Sequence, residues 1–186
     1  MRRRRLHPVT VAWRTIVLFA AASAGCQTPQ GQISADNPEL SQFISLVMPR
    51  EIQIQRYLTK PVSVDKSGDL NGIEVILQAL DSVRDPVKCV GTFHFELRTR
   101  RLASSDRLGK RIGFWKLDIR TTDAMAQYWD KLSRCYRFPL QLREGTVQPG
   151  QYVLTATLVL PTGDKLYDEY DFTHEGAASP AAAGAP

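Results

Sequence analysis

Residues Asp65–Gly72, D-K-S-G-D-L-N-G, alternate oxygen-bearing side chains with small residues, as calcium-binding loops do. With Ser67 at the first position of an EF-hand loop, Asp69 and Asn71 hold the third and fifth, and a glycine follows at the sixth. The twelfth position is Gln78, which lacks the carboxylate that would bind calcium through both oxygens. The pattern therefore favours a turn between strands, in which Asp and Asn bond to nearby backbone and both glycines adopt positive φ.

The histidines do not form a catalytic or metal-binding pattern. His7 lies near the N-terminus, His94 falls on the polar face of a predicted strand, and His174 borders the C-terminal tail. This spacing suggests neither a zinc cluster nor a Ser-His-Asp set. The sequence also lacks G-x-S-x-G, phosphate-loop and dinucleotide motifs. We therefore expect a protein that is not an enzyme and that uses no cofactor or metal.

Residues 1–25 are typical of a secretion signal. M-R-R-R-R opens a basic segment that ends near Arg14, T-I-V-L-F-A-A-A forms a short apolar run, and S-A-G-C supplies the small residues of a cleavage site. Because the apolar run is too short to span a bilayer comfortably, the pattern favours a signal peptide over a transmembrane helix.

The basic character of the chain comes from this leader. The full chain has 24 Lys and Arg against 19 Asp and Glu, which gives a net charge of +5. Five of the basic residues and none of the acidic ones lie in the leader, so 19 of each sign remain after cleavage. The positive charge therefore serves export, in which a basic leader stays on the cytoplasmic side, and gives no reason to expect a nucleic-acid partner.

Residues Ala22–Cys26, A-S-A-G-C, resemble the lipobox of bacterial lipoproteins, whose cysteine is acylated and becomes the mature N-terminus. The last three residues fit that pattern, whereas Ser23 stands where the family usually has Leu. The same segment also satisfies the A-x-A rule of ordinary signal peptidase, which would release a soluble protein. The Gln/Pro/Gly/Ser-containing residues that follow are typical of a tether, and they favour lipidation at Cys26. In proteins resembling Gram-negative lipoproteins, Gln27 directly after the cysteine favours the outer membrane.

Cys89 and Cys135 remain once Cys26 is acylated, in a chain expected to reach an oxidising compartment. Each lies at or near the start of a strand-like run, so we predict a disulfide between them. The alternative is a pair of unpaired thiols that are buried as small hydrophobic side chains. These two alternatives, a disulfide and a pair of free thiols, differ in whether the Cα atoms of Cys89 and Cys135 approach to about 6 Å.

Alternation of apolar and polar residues dominates the chain after a short helix predicted from Asn37-Pro38. T-F-H-F-E-L-R-T-R is a clear example of this alternation, with Phe93, Phe95 and Leu97 expected to face a core. Near the C-terminus, two alternating runs flank P-T-G-D and predict a β-hairpin. Roughly seven strands, with a helix that Asp123 would cap, predict an all-β antiparallel sandwich of immunoglobulin-like or transthyretin-like type.

Two further features leave alternatives open. The basic segment Arg100–Arg111 is either a solvated connection or a surface for an anionic polymer or lipid headgroup. Trp115, Tyr128 and Trp129 are either part of the core or a platform for a ligand.

Several strand-like runs are similar to those of a group of poorly characterised lipoproteins from planctomycete-type bacteria. The runs are L-N-G-I-E-V-I-L-Q-A-L-D, G-T-F-H-F-E-L, G-K-R-I-G-F-W-K-L-D-I and P-G-Q-Y-V-L-T-A-T, within about Ile52 to Phe172. The resemblance implies an envelope location and a sandwich fold, and no activity. A weaker resemblance, in topology and the turn Asp69–Asn71, is to the outer-membrane lipoprotein of type VI secretion systems.

The predicted organisation is a signal peptide at 1–25, a lipidated N-terminus and tether at 26–37, one sandwich domain at 38–175 and a disordered tail at 176–186. We expect a lipid-anchored cell-envelope protein, on the outer membrane and facing the periplasm. Its expected role is that of a docking or structural module with an envelope-protein partner. The alternatives are a pilot or accessory subunit of a secretion system, and a soluble periplasmic binding module if ordinary signal peptidase cleaves the chain.

Mass spectrometry of the mature N-terminus is expected to show an acylated Cys26. Acyl chains hold a protein on a membrane at about 0.8 kcal/mol per buried methylene, so extraction should require detergent. The matched control, Cys26→Ser, should appear in the aqueous fraction. A water-soluble wild-type product that begins at Gly25 would show that ordinary signal peptidase acts instead.

Overall fold

A computed structural model of the protein describes residues 38–101 and 107–176. The predicted leader, the tether with Cys26, and the tail from residue 177 onward lie outside the described residues. In the two described ranges, no helix has the length and hydropathy needed to cross a membrane.

The described chain forms two antiparallel sheets and two short helices, which confirms the prediction of an all-β sandwich. In chain order the elements are α1 (Pro38–Val47), β1 (Glu51–Ile54), β2 (Lys60–Val62), β3 (Gly72–Leu80), β4 (Pro86–Val87), β5 (Thr92–Arg100), β6 (Leu108–Asp118), α2 (Thr122–Tyr128), β7 (Trp129–Asp130), β8 (Cys135–Gln141), β9 (Gly150–Val159) and β10 (Lys165–His174). One sheet has the order β1-β3-β8-β7, with β2 and β4 also paired to β3. The other has the order β10-β9-β5-β6.

The core lies between the two sheets, where the alternating apolar residues of both meet. Phe93 and Phe95 of β5 are fully buried, as their alternation predicts. Both rings contact Phe138 of β8, at centroid distances of 4.9 and 5.0 Å. Aromatic contacts of this kind add stabilisation beyond the area they bury. The predicted hairpin is also present, since β9 and β10 pair along their whole length.

Tyr136 ties the core to the segment before β5. Its hydroxyl accepts a hydrogen bond from the Cys89 N–H at 2.8 Å and donates one to the Cys89 carbonyl at 3.2 Å. Burial is the main cause that raises the pKa of Tyr136 above its usual range, so the hydroxyl keeps the proton that it donates. This pair of bonds satisfies a buried stretch of backbone that has no strand partner of its own.

Asp168 links the two sheets at one side of the sandwich. It is paired in register with Ala156, which faces the core, so the Asp168 side chain also points between the sheets. Its carboxylate accepts a hydrogen bond from the backbone N–H of Ile54, on the neighbouring edge strand β1, at 2.7 Å. This bond between the two sheets gives the Ile54 N–H a partner that an edge strand would otherwise lack.

Three local features differ from the sequence predictions. The side chain that caps α2 is that of Thr121, which accepts from the Ala124 N–H, and not Asp123. β6 begins at Leu108, so the predicted connection Arg100–Arg111 contains the start of a strand. The helix α1 begins at Pro38 as predicted, yet none of its residues is buried. Each difference reflects tertiary pairing or capping that local periodicity does not encode.

The stretch Asp65–Gly72 links β2 to β3, and its polar side chains bond to local backbone. Asp65 accepts from the Ser67 N–H at 3.0 Å, and Asn71 accepts from the Val64 N–H at 2.8 Å. The predicted turn is therefore confirmed.

The two glycines of this turn serve different purposes. Gly68 has a φ of +96°, as predicted. The same prediction is wrong for Gly72, which is extended in β3. A Cβ on Gly72 would lie 2.5 Å from the Leu140 carbonyl oxygen and 2.5 Å from a Val64 methyl group. Gly72 is therefore required by close packing against β8 and not by backbone conformation.

Gly72→Ala should destabilise the protein by about 2 kcal/mol, because the added methyl forces backbone of two strands apart. Gly150→Ala is the matched control, since the nearest atom to its added Cβ is 3.7 Å away. That variant should be close to neutral. Chemical denaturation of both variants measures the difference, and equal stability would contradict the packing argument.

The predicted disulfide between Cys89 and Cys135 is not formed, and this prediction is wrong for the structure: both are free, buried thiols. Successive side chains in a strand point to opposite faces. Tyr136 points into the core and contacts Cys89, so its neighbour Cys135 points to the other face of the sheet. There its thiol donates to the Ser133 carbonyl at 3.3 Å.

We expect the Cys26→Ser protein, denatured without reductant, to be alkylated at both Cys89 and Cys135. In the native protein Cys89 should react slowly, because burial raises the pKa of its thiol to about 12 and only the thiolate reacts readily. Mass spectrometry after alkylation measures both. Recovery of a peptide pair joined through these two cysteines would contradict the structure.

Candidate functional site

The strand β6 forms an open edge on the side of the sandwich opposite Asp168. In the described part of the chain β6 pairs only with β5. The Ile119 N–H, just after β6, donates to the Gly91 carbonyl at 2.9 Å. Because the backbone groups of successive residues in a strand point to opposite edges, this bond identifies every second residue of β6, including Leu117 and Trp115, as one that bonds to β5. By that alternation the N–H and C=O groups of Phe114 and Lys116 point away from β5. These groups are free to pair with another strand.

The facing strand β8 is open on the same side. Its pairing with β7 covers only Cys135 and Tyr136, so the edge from Arg137 to Gln141 has no strand partner among the described residues. Among the described residues neither β6 nor this part of β8 therefore has a further strand beside it, although α2, which connects β6 to β7, packs against β8. The side chain of Trp115 joins the two sheets, because its indole N–H donates to the Gln141 carbonyl at 2.6 Å.

Gly113 makes room for the indole of Trp115. A Cβ at Gly113 would collide with the Trp115 ring, so no larger residue fits there without moving the indole. The indole lies over the β6 backbone and reaches the opposite sheet, where it forms one wall of a depression. A rigid aromatic ring held by a hydrogen bond at its polar end is a common element of binding surfaces.

We call this depression the open-side cleft. It has a volume of about 530 Å³. It is lined by a β6 segment and by the residues that follow β8, namely Arg111, Ile112, Gly113, Phe114, Trp115, Arg143 and Glu144. Aromatic and guanidinium groups combined with free backbone edges suit the recognition of an extended, negatively charged chain.

The charges around the cleft are predominantly positive. Arg143 forms no ion pair with any described residue. Arg111 makes only a long contact of 3.7 Å with Glu96, and 60% of its side chain remains exposed. Its guanidinium also lies 5.9 Å from the ring centroid of Phe114. Both arginines therefore have capacity for an anionic group.

The arginines nearer the start of β6 are occupied by acids on the outer face of the sheet. Arg98 pairs with Glu96 at 2.8 Å, and Arg100 pairs with Asp171 at 3.5 Å. Arg107 pairs with both Glu169 and Asp171. Two residues of the basic segment, Arg100 and Arg107, are thus neutralised by acids of strand β10, which reduces the positive charge that a general surface for polyanions would need.

The aromatic residues of uncertain role divide between the core and the cleft. Tyr128 contacts Phe138, and Trp129 contacts Tyr136, at centroid distances of 5.1 and 4.9 Å. These two belong to the edge of the core. Trp115 also packs against the core, and in addition it lines the cleft, as the alternative of a ligand platform requires.

The cleft has the chemistry of a candidate binding site. Its lining offers guanidinium, aromatic and backbone groups, and only one acidic side chain. In the described ranges no group of three or more His, Cys, Asp or Glu side chains is placed to hold a metal ion. Sequence reasoning missed Arg143 and the open edges, because they meet only when β6 and β8 are brought together.

Comparison with known proteins found no matching family model, no similar characterised protein and no similar solved structure. The function is therefore inferred from the residues of this chain and their geometry.

Proposed function

We propose that the protein is a lipid-anchored, non-catalytic docking module of the cell envelope. Acylation at Cys26 fixes it to the outer membrane, and residues 26–37 hold the sandwich in the periplasm. The open-side cleft is the surface that contacts an envelope-protein partner.

The observation that carries this proposal is the difference between the two sides of the sandwich. On one side the carboxylate of Asp168 satisfies the N–H of Ile54 at the sheet edge. On the other side the outer edge of β6, away from β5, has no strand partner among the described residues, and Phe114 is 50% exposed beside it. Proteins generally protect long sheet edges, so an edge left open beside aromatic and cationic groups supports a role in binding.

The Lys and Arg residues of the edge also limit the partners that can pair with it. Lys110, Arg111 and Lys116 all lie on β6. Like charges that are brought together across two strands are destabilising. Two copies of this edge therefore repel each other, whereas a partner of opposite charge is attracted. The edge is protected against self-association and remains available to a selected protein.

The lipid anchor and the cleft act together in this proposal. A tether of about twelve residues restricts the domain to a thin layer above the membrane, which raises the effective concentration of any partner in the same layer. A modest affinity at the cleft is then sufficient for docking. This arrangement suits a structural or accessory subunit better than a released binding protein.

Photo-crosslinking in the native cell tests the proposal. A benzophenone amino acid is placed at Phe114 in the cleft and, as a matched control, at Leu132, which is 95% exposed in the turn before β8. We expect a discrete crosslinked product from position 114 that is absent from position 132. The product should weaken in the Cys26→Ser variant, because the chain is no longer held near its partner. Equal crosslinking at both positions, or none at position 114, would contradict the proposal.

A further inference from the structure

We propose that β6 binds its partner by strand addition, and that the partner segment is extended and carries acidic residues at alternate positions. This inference rests on the proposed docking function and specifies its chemistry. The added strand extends the sheet β10-β9-β5-β6 by one strand on its open side.

The backbone of β6 provides the hydrogen bonds for such a strand. The N–H and C=O groups of Phe114 and Lys116 point outward, whereas those of Trp115 and Leu117 point toward β5. No described residue bonds to the outward groups. An incoming strand can therefore pair with them without breaking any bond of the sheet.

The usable edge is short. The register between β5 and β6 is regular from Asp118 to Gly113 and then shifts, with irregularities at Leu97/Arg98 and Arg98/Arg100. Such shifts bend and twist a strand, which ends regular pairing on its free side. We therefore infer that the partner contributes about five to seven residues in extended form.

The outward side chains of the edge set the preferred sequence of the partner. Lys116 and Phe114 lie on the outer face, opposite His94 and Glu96 of β5. Arg111 follows on the same face beyond the shift in register. An added strand places its own side chains beside this row, and opposite charges favour such neighbours. An acidic residue, an apolar residue and a second acidic residue at alternate positions match the row.

Of the acids near the edge, Glu96 pairs with Arg98 at 2.8 Å, and Glu144 is the one acid among the described residues that lines the cleft. Asp118, at the end of β6, is held by Arg120 through several hydrogen bonds, and that arginine lowers the pKa of its carboxyl. Arg143 lies across the cleft without an ion pair among the described residues. A carboxylate that reaches into the cleft can therefore bond to a guanidinium that has no other described acid.

The charge pattern also argues that the occupant is another protein. Two β6 strands placed side by side would bring Lys116 and Arg111 of one copy beside the same residues of the other. Residues 177–186 of this chain contain no acid at all. The β6 edge of a second copy and residues 177–186 therefore supply no complementary charge, and the acids of the other edge strand, Glu169 and Asp171 of β10, already pair with Arg107, so we infer another protein as the partner.

A synthetic peptide tests strand addition directly. The probe is a blocked, fluorescently labelled peptide of alternating threonine and glutamate with valine at the central glutamate position. Fluorescence polarisation should show saturable binding to the full domain that weakens as salt is added. A peptide with lysine in place of each glutamate is the charge control and should not bind.

Methylation of the peptide backbone separates strand addition from simple charge attraction. One peptide is N-methylated at the threonines and a second at the glutamates and valine. Because alternate N–H groups of a strand point to opposite edges, only one of these two peptides should lose binding. Loss of binding in both, or in neither, would overturn strand addition.

The double variant Arg111→Glu with Lys116→Glu should weaken peptide binding by about tenfold or more, since two attractive neighbours become repulsive. The matched control, Arg56→Glu with Lys165→Glu, makes the same change in net charge away from the cleft. It should leave binding within about twofold. Equal loss in both double variants would overturn the assignment of β6. Thermal unfolding checks that each variant remains folded.

The peptide-binding assay and the cellular crosslinking test different claims, so one result can be negative while the other is positive. If position 114 crosslinks in cells but no acidic peptide binds, the docking function stands and strand addition is overturned. If the peptide binds with the expected N-methyl pattern but position 114 gives no crosslink, the edge recognises acidic strands and the proposed envelope function is contradicted.

Discussion

The pairing of backbone groups at the sheet edges is the constraint on which the rest of the structure depends. A two-sheet sandwich buries its apolar faces against each other, but its outermost strands still present N–H and C=O groups. On one side Asp168 reaches between the sheets to the N–H of Ile54. On the other side Trp115 joins the sheets through the Gln141 carbonyl and leaves the backbone of β6 exposed. The cleft, its charge and its proposed partner all follow from this difference.

The sequence predicted the core well because alternation is a local signal. Phe93, Phe95 and Leu97 are buried as their spacing requires, and the hairpin of β9 and β10 is bounded as its turn residues indicate. The role of Gly72 was not predictable in the same way. A glycine is needed at position 72 because this residue contacts β8, which lies far away in sequence, and not because of its own φ angle. The two cysteines show the same limit, since their opposed directions depend on how Tyr136 meets Cys89.

The candidate site was less predictable than the fold. Trp115 was recognisable as a candidate ligand platform, but Arg143 comes from a separate segment and has no local motif around it. Whether a strand is central or at an edge depends on the order of strands in the sheet, and alternation alone does not specify that order. The basic segment Arg100–Arg111 is the reverse case, because its sequence suggests more free positive charge than the fold leaves. Two of its four arginines, Arg100 and Arg107, lie against acids of β10, which only the folded register brings near them.

Residue-resolved amide exchange along β6 tests the central claim most directly. In the free domain, the amides of Phe114 and Lys116 should exchange rapidly, while those of Trp115 and Leu117 should be protected by β5. Addition of the acidic peptide should protect the first pair and leave the second pair unchanged. Protection of all four amides in the free domain, or no change when the peptide is added, would contradict an open edge that binds by strand addition.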